Sequence, residues 1–400
     1  MTMLENKCII IFGLMKFDAD IESTNYTIAR HLAKKNKVFY VDNPYTWKDY
    51  FKLKGTKEFN VRKPHFALFA DGIIDTDEPN LKVVIPPLVA SIHFLNEGFI
   101  YRSALKFNQW LIVNRIKKVI KKFNITEFIF INSYNFHYPN VGDYLKPLLK
   151  VYHCVDPLIS PYDLKHGLIS EAHVVKTSDV IICSSKQLYI EKKQVNPNTY
   201  FVPNAADISH SQKALDPKLQ VAKIIADLPK PVIGYFGNIE RRMDFDMLKQ
   251  VVALNPDKSF VFVGPQGKIY IPDWFYHTPN IYLPGRMPYD MMPAILKGFD
   301  VALLPFKKDE VSRTIFPLKL FEYLGAGKAV VSTDFNIDLK EFTKNTVAYC
   351  TTAQEFSDAI NHALNENSAD MLPQRFAIAA ENTWEKRADE FSGILANYIA

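Results

Sequence analysis

The chain has 400 residues, of which 48% are hydrophobic and 23% are charged, and this composition excludes an intrinsically disordered protein. This length exceeds what one hydrophobic core usually serves, so we expect two domains. The net charge of +5 is too modest to indicate a nucleic-acid partner by itself, and the sequence contains neither a basic aromatic RNA-binding motif nor a zinc finger.

The first half of the chain alternates short β-branched runs with helical stretches, which is typical of a mostly parallel sheet covered on both faces. Helices are predicted over Ile21–Lys34 and Arg102–Lys122. Residues Tyr45–Asn80 lack a clear period and are interpreted as an irregular insertion. The predicted strands are Lys7–Phe12, Lys37–Val41, Lys82–Ile85, Glu127–Ile131, Lys150–Val155, Asp179–Cys183 and Tyr200–Val202.

The second half repeats this alternation after a polar stretch, residues 208–230, which we interpret as a linker. Helices are predicted over Asp244–Leu254, Tyr289–Lys297 and Ala353–Leu364. The predicted strands are Val232–Phe236, Ser259–Val263, Ile281–Leu283, Val301–Leu304, Ala329–Ser332 and Val347–Cys350. The pattern predicts an α/β protein with two doubly wound domains.

Glycines mark a ligand site in the second half. Gly237, Gly264 and Gly285 each follow an apolar predicted strand. In open parallel sheets ligands bind beyond the carboxyl ends of the strands, and glycine lets the backbone approach them closely. Any one of these glycines could simply form a turn, but three at equivalent positions favour a binding site.

The segment Phe316–Thr333 reads as a helix followed at once by a buried strand. Pro317 suits the first helical position, and Gly327 suits the left-handed residue after the last turn. Free amides at such a helix start attract phosphate, and Lys319 adds a positive charge there. Glu322 shares that face, and a carboxylate can accept hydrogen bonds from the two hydroxyls of a ribose. A nucleotide site is therefore predicted, with a surface ion pair between Lys319 and Glu322 as the alternative.

This segment resembles the nucleotide-sugar signature of GT-B glycosyltransferases, especially the family 4-like enzymes of bacterial polysaccharide synthesis. The chain is similar to the teichuronic-acid-type glycosyltransferases, strongly after Pro231 and loosely before Val151. The resemblance rests on Pro317-Leu318-Lys319 with the residues that follow it, and on Val151–Asp156, Ser178–Ser184, Val202–Asp207, Gly234–Gly237 and Phe299–Phe306.

The resemblance implies a GT-B fold, in which two doubly wound Rossmann-like domains face each other across a cleft. Residues 1–207 would form the acceptor-side domain, and residues 231–382 would bind the nucleotide sugar. Residues 383–400 would form a C-terminal helix packing back on the first domain. The implied reaction moves a sugar from a UDP- or GDP-sugar to a saccharide or lipid-linked saccharide acceptor, without a metal or other cofactor.

Further donor-binding residues are implied in the second domain. The family usually places an Arg and a Lys after the first strand of this domain, where positive charge stabilises the leaving diphosphate. Here Arg241 and Arg242 occupy that loop without a lysine at the usual spacing, and either could bind phosphate. Arg286 is implied to border the nucleobase through its backbone, and Ser312 and Thr314 to lie near the donor sugar.

Thr314 departs from the pattern of the family. The family 4 motif pairs two glutamates, of which the second matches Glu322, whereas Thr314 stands in place of the first. Because threonine cannot act as a carboxylate, the retaining chemistry typical of that family does not carry over. The stereochemical outcome stays open.

Asp156 and His153 are the candidates for a catalytic base. A carboxylate or imidazole at a strand end can take the proton of an acceptor hydroxyl. Asp156 aligns best with the family's residue and comes first, with a turn cap before Pro157 as the alternative. His153 comes second, because an isolated histidine on an apolar strand is more often a core residue.

Acidic triplets at Asp18–Asp20, Asp75–Asp77 and Asp244–Asp246 resemble the metal-binding triplet of GT-A enzymes. We assign no metal to them, since such triplets are common by chance and Asp244 is expected to cap a helix. The glycine-rich loops of dinucleotide-binding and P-loop proteins are absent. Two other functions stay open, namely a nucleotide-sugar epimerase of the same fold and a non-catalytic subunit of a polysaccharide assembly complex.

The location of the protein is predicted from its cysteines and apolar runs. The cysteines stand singly without metal-ligand spacing, as in reduced cytoplasmic proteins, and no signal peptide or membrane span is visible. The segments Trp47–Lys54 and Phe107–Lys122 mix aromatic residues with lysines. They are interpreted either as peripheral contacts with the inner face of the membrane or as core helices with a solvated lysine face. The cysteines are Cys8, Cys154, Cys183 and Cys350.

Overall fold

The structure, a computed structural model, describes residues 3–19, 23–365 and 368–399. The chain divides into two compact units, the first formed by Met1–Pro203 with Arg387–Ala400 and the second by Asn204–Lys386. Each unit contains one mostly parallel sheet with helices between its strands. The predicted α/β class is therefore confirmed.

The first unit is built on an eight-stranded sheet. Its strands are β1 (Cys8–Gly13), β2 (Lys37–Val41), β3 (Ile73–Asp75), β4 (Leu81–Val84), β5 (Ile129–Ser133), β6 (Leu149–Cys154), β7 (Val180–Cys183) and β8 (Thr199–Phe201). The order in the sheet is β3-β4-β2-β1-β5-β6-β7-β8. Neighbouring strands run parallel except for β3 and β4. The apolar side chains of β1 are fully buried in the middle of this sheet.

The helices of the first unit include two in the segment predicted as an irregular insertion. Up to Pro203 they are α1 (Thr24–Ala33), α2 (Trp47–Lys52), α3 (Lys57–Arg62), α4 (Phe99–Lys122), α5 (Val141–Leu145), α6 (Pro161–Thr177) and α7 (Lys186–Lys193). The segment Tyr45–Asn80 contains α2, α3 and the antiparallel strand β3, so its irregularity was overestimated. Side-chain caps explain the two short helices, because Thr46 and Thr56 accept hydrogen bonds from backbone N–H groups in the first turn, at 3.2 Å each.

Helix α1 also begins with a cap, since the Ser23 side chain accepts a hydrogen bond from the Tyr26 N–H at 3.4 Å. The first residues of the helix predicted over Ile21–Lys34 lie outside the described residues. Asp20 of the first acidic triplet lies outside them as well.

The second unit is built on a six-stranded, wholly parallel sheet in the order β11-β10-β9-β12-β13-β14. The strands are β9 (Val232–Phe236), β10 (Ser259–Val263), β11 (Ile281–Gly285), β12 (Val301–Leu304), β13 (Ala329–Thr333) and β14 (Val347–Cys350). The helices are α8 (Ile208–Gln212), α9 (Lys223–Ala226), α10 (Phe245–Leu254), α11 (Asp273–His277), α12 (Met292–Lys297), α13 (Leu318–Gly325), α14 (Leu339–Thr343), α15 (Ala353–Asn365) and α16 (Ser368–Glu381).

Residues 208–230, expected as a linker, are part of the second unit. They contain α8 and α9, and Ile225 is fully buried in the core of that unit. The Ala222 N–H donates a hydrogen bond to the Ala294 carbonyl at 3.0 Å. Its few apolar residues thus join this polar stretch to the core of the second unit.

The last helix, α17 (Trp384–Ala396), joins the first unit from Arg387 onward. Phe391 is fully buried, and its ring packs against His153 with 5.3 Å between ring centres. The Ser392 hydroxyl accepts a hydrogen bond from the Leu4 N–H at 2.7 Å. The C-terminal segment is therefore an integral part of the first core.

Candidate functional site

Helix α13 begins at Leu318, directly after Pro317. Pro317 has φ −79° and ψ 119°, so it precedes the helix as an extended residue and is not the first helical residue that the sequence predicted. Gly327 has φ +73°, as its predicted left-handed role requires, and the Lys328 N–H closes the helix end on the Tyr323 carbonyl at 2.9 Å. Because α13 connects the parallel strands β12 and β13, its first turn lies at the edge where the strands end.

The Lys319 ammonium lies against the end of β9. Its Nζ donates a hydrogen bond to the Tyr235 hydroxyl at 2.9 Å and lies 4.5 Å from the centre of the Tyr235 ring. A Cβ atom added to Gly237 would lie 2.3 Å from this Nζ, so glycine makes room for the ammonium. Burial, together with the positive charge of Arg242, lowers the pKa of Lys319 to about 7. A bound anion would stabilise its charged form.

Glu322, one turn further along α13, is buried with 7% of its surface exposed. The Tyr289 hydroxyl donates to its Oε1 at 3.3 Å. The Tyr289 ring in turn stacks on His210, with 4.2 Å between ring centres and 15° between ring planes. Burial raises the pKa of Glu322 to about 7, although the charge of Lys319 opposes this shift. Lys319 and Glu322 each bond to a different tyrosine, so they are not the surface ion pair of the alternative interpretation.

The three predicted glycines lie at the ends of the adjacent strands β9, β10 and β11. Gly237, Gly264 and Gly285 have φ values of +133°, +148° and +83°, which favour glycine. The Gly237 N–H donates to the Val263 carbonyl and the Gly264 N–H to the Gly285 carbonyl, both at 2.9 Å. A Cβ on Gly264 would lie 2.0 Å from the Gly237 carbonyl oxygen, whereas a Cβ on Gly285 would meet no atom within 4 Å. The backbone at Gly285 therefore borders open space that a ligand can enter.

The loop after β9, residues 237–244, is held on two sides by backbone hydrogen bonds. The Ile239 N–H donates to the Pro265 carbonyl at 2.9 Å, in the loop after β10. The Asp244 N–H donates to the Pro305 carbonyl at 2.8 Å, in the loop after β12. The loop thus has a fixed path at the edge of the sheet.

Of the two arginines in this loop, Arg242 is the one whose charge acts on Lys319. Its positive charge contributes to the lowered pKa of Lys319. Its guanidinium pairs with Glu240, and its carbonyl accepts a hydrogen bond from the Lys307 N–H at 2.8 Å. The structure thus distinguishes Arg242, whose charge acts on Lys319, from Arg241, a distinction that the sequence left undecided.

The side chains expected near the donor sugar are less accessible than predicted. Ser312 is fully buried, and its N–H donates to Asp309 Oδ1 at 2.7 Å. Thr314 is 7% exposed, and its hydroxyl donates to the Val311 carbonyl at 2.7 Å. Both belong to a short 3-10 helix, Ser312–Thr314, in which these two residues are buried. Arg286, which follows Gly285, is exposed.

Asp156 lies in the first unit, in the loop between β6 and α6, and its side chain is exposed. Burial, and to a lesser extent the charge of Asp156, raise the pKa of the Tyr134 phenol. The Tyr134 hydroxyl donates to the Pro157 carbonyl at 2.9 Å. Asp156 is therefore accessible at the carboxyl end of a parallel strand, as the candidate role requires.

His153 lies on β6 and is 3% exposed. Its Nδ1 is 3.0 Å from the Ser133 hydroxyl, and its ring packs against Phe391. Burial lowers the pKa of His153 to about 3, so this imidazole is neutral at physiological pH. This environment is that of a core residue, which is the more frequent case for an isolated histidine on an apolar strand.

Three tyrosines complete the site in the second unit, and sequence reasoning assigned none of them. Tyr235 accepts the bond from Lys319 and donates its own proton to the Asn238 carbonyl at 2.9 Å. Tyr323 accepts a hydrogen bond from the Phe236 N–H at 3.0 Å, and Tyr289 holds Glu322. A tyrosine in an otherwise apolar buried strand needs a partner for its hydroxyl, and this signal could have indicated Tyr235.

Asp244 is a helix cap, as predicted, because its Oδ1 accepts a hydrogen bond from the Met247 N–H at 2.9 Å. Among residues 3–19, 23–365 and 368–399, no group of three or more His, Cys, Asp or Glu side chains is arranged to hold a metal ion. Across the same described ranges, no helix combines the length and the apolar character needed to cross a membrane.

Comparisons with known proteins show what the chain is similar to. Residues 230–366 match the family model described as glycosyl transferases group 1. A Bacillus subtilis protein named as a teichuronic acid biosynthesis glycosyltransferase, TuaH, is 28% identical over 204 residues. This region is 46% of the present chain and 50% of TuaH, so the match spans half the length of that relative.

Solved structures match the chain almost over its full length. Sucrose-phosphate synthase from Thermosynechococcus elongatus has a TM-score of 0.67 and 14% identity, covering 98% of this chain and 99% of the other. An E. coli structure described as trehalose-6-phosphate bound with UDP-2-fluoro glucose has a TM-score of 0.68 and 10% identity, with coverage of 98% and 99%. At these identities the likeness shows the fold. The chain thus has the GT-B fold, and its residues 230–366 match the model of the glycosyl transferases group 1 family.

Proposed function

We propose that this protein is a glycosyltransferase that moves a sugar from a UDP- or GDP-sugar to a saccharide or lipid-linked saccharide acceptor in cell-surface polysaccharide synthesis. The observation that carries the proposal is the position of Lys319 and Glu322 on the first turns of α13, at the strand ends marked by glycine. The teichuronic acid assignment of the Bacillus relative and the nucleotide sugar bound in the E. coli structure of the same fold support it.

In this proposal the diphosphate binds to Lys319, Arg242 and the free amides at the start of α13. The helix start contributes partial positive charge, Lys319 contributes its ammonium form, and Arg242 contributes a guanidinium that is also paired with Glu240. These groups also stabilise the negative charge that develops on the leaving diphosphate as the glycosidic bond breaks.

Glu322 would hold the ribose by accepting hydrogen bonds from the two adjacent hydroxyls of that sugar. Tyr289 occupies one oxygen of the carboxylate at 3.3 Å and orients it. The open space beside Gly285 would receive the nucleobase, with the backbone of Arg286 at its border. These assignments use only residues of the second unit.

The acceptor would bind to the first unit, with Asp156 as the base that takes the proton of the attacking hydroxyl. Its exposure at the end of β6 supports this role, and the enclosed, neutral His153 is the weaker candidate. We also propose a cytoplasmic location, which four unpaired cysteines support.

The experiment that tests the donor site is a thermal-shift screen against UDP, GDP and their sugars, followed by calorimetry on the ligand that raises the melting temperature most. Lys319→Ala and Glu322→Ala should each weaken binding by about ten- to a hundredfold, as expected for losing a hydrogen bond to a charged group. Glu341→Gln, at an exposed position of α14, is the matched control. Unchanged affinity in both alanine variants would refute the proposed donor site.

Product analysis then separates transfer from the two other functions. A glycosyltransferase needs an acceptor for turnover, whereas an epimerase would alter the sugar or release it without one. A non-catalytic subunit would bind the nucleotide sugar and leave it unchanged.

We further propose that transfer needs no metal ion, because Lys319, Arg242 and the helix amides supply the positive charge for the diphosphate. Activity should therefore survive dialysis against EDTA. Complete loss of activity with EDTA, restored by manganese or magnesium, would contradict this part of the proposal.

A further inference from the structure

Helix α4 of the first unit has apolar residues on two opposite faces. Its inner face packs in the core, where Ile112 and Ile116 are 0% and 1% exposed. Its outer face carries Phe99, Phe107 and Trp110, which are 87%, 55% and 55% exposed. A helix on the surface of a protein normally turns polar residues outward. These exposed rings therefore indicate a surface that contacts another molecule when the protein functions.

The exposed rings of α4 continue onto neighbouring elements. A groove of about 490 Å³ lies between α2 and α4, with Trp47, Leu68 and Phe107 among its lining residues. Phe69, next to Leu68, is 93% exposed. We call the surface made of this groove, the outer side of α4 and the adjoining parts of α2 and residues 68–69 the α2–α4 face. Its exposed apolar residues are Trp47, Phe51, Leu68, Phe69, Phe99, Ile100, Phe107 and Trp110.

The α2–α4 face is also positively charged. Helix α4 contains seven basic residues and no acidic residue, and four of the seven are the exposed lysines of its last two turns, Lys117, Lys118, Lys121 and Lys122. The Lys118 ammonium donates to the Leu68 carbonyl at 2.6 Å and lies 5.7 Å from the centre of the Phe69 ring. Cationic and apolar groups are therefore interleaved on one surface.

The acidic groups nearby do not cancel this charge. Asp71 forms an ion pair with Lys122 at 2.5 Å. Asp49 is engaged as the capping partner of Thr46 at the start of α2, a helix that carries Lys48 and Lys52 of its own. The remaining lysines leave a net positive surface.

We propose that the α2–α4 face docks on the surface of a lipid bilayer that contains anionic lipids. Exposed Trp and Phe side chains insert at the level of the headgroups, while lysines beside them meet the phosphates. Positive charge around an apolar surface is complementary to an anionic membrane, and this distinguishes the bilayer from an apolar protein partner. The inference concerns the first unit and does not rest on the proposed transfer reaction.

The test is co-sedimentation of the full chain with vesicles of phosphatidylcholine, with or without phosphatidylglycerol. The protein should bind vesicles that contain phosphatidylglycerol, bind weakly to phosphatidylcholine alone, and be released as salt is raised. Lys117→Gln with Lys121→Gln should weaken binding by about fivefold per lysine. Phe107→Ser with Trp110→Ser should weaken it by about tenfold or more, since the two rings lose their apolar contact with the bilayer.

A matched control makes the same two kinds of substitution, lysine to glutamine and an apolar residue to serine, in the second unit. It is Lys249→Gln with Leu254→Ser, at exposed positions of α10. Circular dichroism and thermal unfolding establish that each variant is folded. Equal binding by the wild type and the α4 variants, or no binding to anionic vesicles, would overturn the proposal. A dimer of the wild type that Phe107→Ser with Trp110→Ser converts to monomer, without vesicle binding, would show instead that the face joins two copies of the chain.

Discussion

Lys319 and Glu322 are ionisable groups whose pKa values move toward neutrality from opposite sides. Burial lowers the pKa of the lysine to about 7 and raises that of the glutamate to about 7. Near neutral pH a small change in environment therefore alters the charge of either group. A phosphate beside Lys319 favours its ammonium form, and ribose hydroxyls donating to Glu322 favour its carboxylate form.

Nucleotide-sugar affinity should consequently be greatest near pH 7 and fall on both sides. Above this pH Lys319 loses its proton, so binding the diphosphate requires proton uptake. Below it Glu322 gains a proton, so binding the ribose requires proton release. On each side of this maximum, the affinity should fall by up to about tenfold per pH unit. Calorimetry across this range with the wild type should give a maximum.

The acid and alkaline sides of this affinity–pH profile can each be assigned to one residue by substitution. Lys319→Gln should flatten the alkaline limb, and Glu322→Gln should flatten the acid limb. An affinity that stays constant across the range in the wild type would contradict these assignments.

Asp156 permits a second test at the scale of one residue. Asp156→Asn keeps the size of the side chain but removes its ability to take a proton. Turnover should fall by about 10²–10⁴-fold, while nucleotide affinity stays close to that of the wild type. Steady-state kinetics together with calorimetry measure the two effects.

His153→Gln is the comparison for Asp156→Asn. Because His153 is buried and neutral, its substitution should affect the melting temperature more than turnover. Full activity of Asp156→Asn combined with an inactive, folded His153→Gln variant would reverse the ranking of the two candidates.

At the scale of secondary-structure elements, the glycines at the ends of β9 and β10 determine how closely the loops approach each other. Gly237 and Gly264 contact each other's backbone, and Gly237 also borders the Lys319 ammonium. A side chain at either position would separate the loops or displace the lysine. The spacing at this edge of the sheet thus depends on the absence of two Cβ atoms.

Gly237→Ala should therefore reduce both stability and nucleotide affinity. Its φ of +133° disfavours alanine, and the new Cβ would lie 2.3 Å from Lys319 Nζ. Gly55→Ala is the control, since Gly55 has φ +91° but no atom within 4 Å of an added Cβ. Both variants should lower the melting temperature, and only Gly237→Ala should lower affinity, by about tenfold or more. Equal affinity in the two variants would show that Lys319 tolerates the added group.

The strands of the fold and the side chains of the candidate site differ in how far the sequence predicts them. Continuous apolar runs such as Val232–Phe236 predict buried parallel strands directly, because both faces of such a strand are apolar. Strand β3 was missed, since its three residues carry too few positions to form a pattern. Lys319 and Glu322 share one helix turn and were predicted from their spacing. Their partners Tyr235 and Tyr289 come from distant parts of the chain, and only the folded sheet brings them together.

At the scale of the whole molecule, the chain contains two units with separate hydrophobic cores. The first core is completed by the far end of the sequence, because Phe391 and Leu395 of α17 are both fully buried. Stability of the first unit therefore depends on residues that follow the entire second unit.

Phe391→Ala should lower the stability of the first unit by about 3–5 kcal/mol, the usual effect of truncating a buried phenylalanine. Nucleotide affinity of the second unit should be unchanged at temperatures where the first unit remains folded. Asp389→Asn, at an exposed position of the same helix, should have little effect. Calorimetric unfolding and nucleotide titration together test this, and equal loss of stability and affinity would indicate that the two units do not behave independently.

The hydrogen bonds that hold the loop after β9 have a further consequence. Because the Ile239 and Asp244 N–H groups are bonded to carbonyls of the neighbouring loops, these amide hydrogens should exchange slowly with solvent before any nucleotide is added. A loop ordered in advance would lose little conformational entropy on binding the diphosphate of the proposed donor. The favourable free energy of phosphate contacts then goes into affinity and is not consumed in organising the loop.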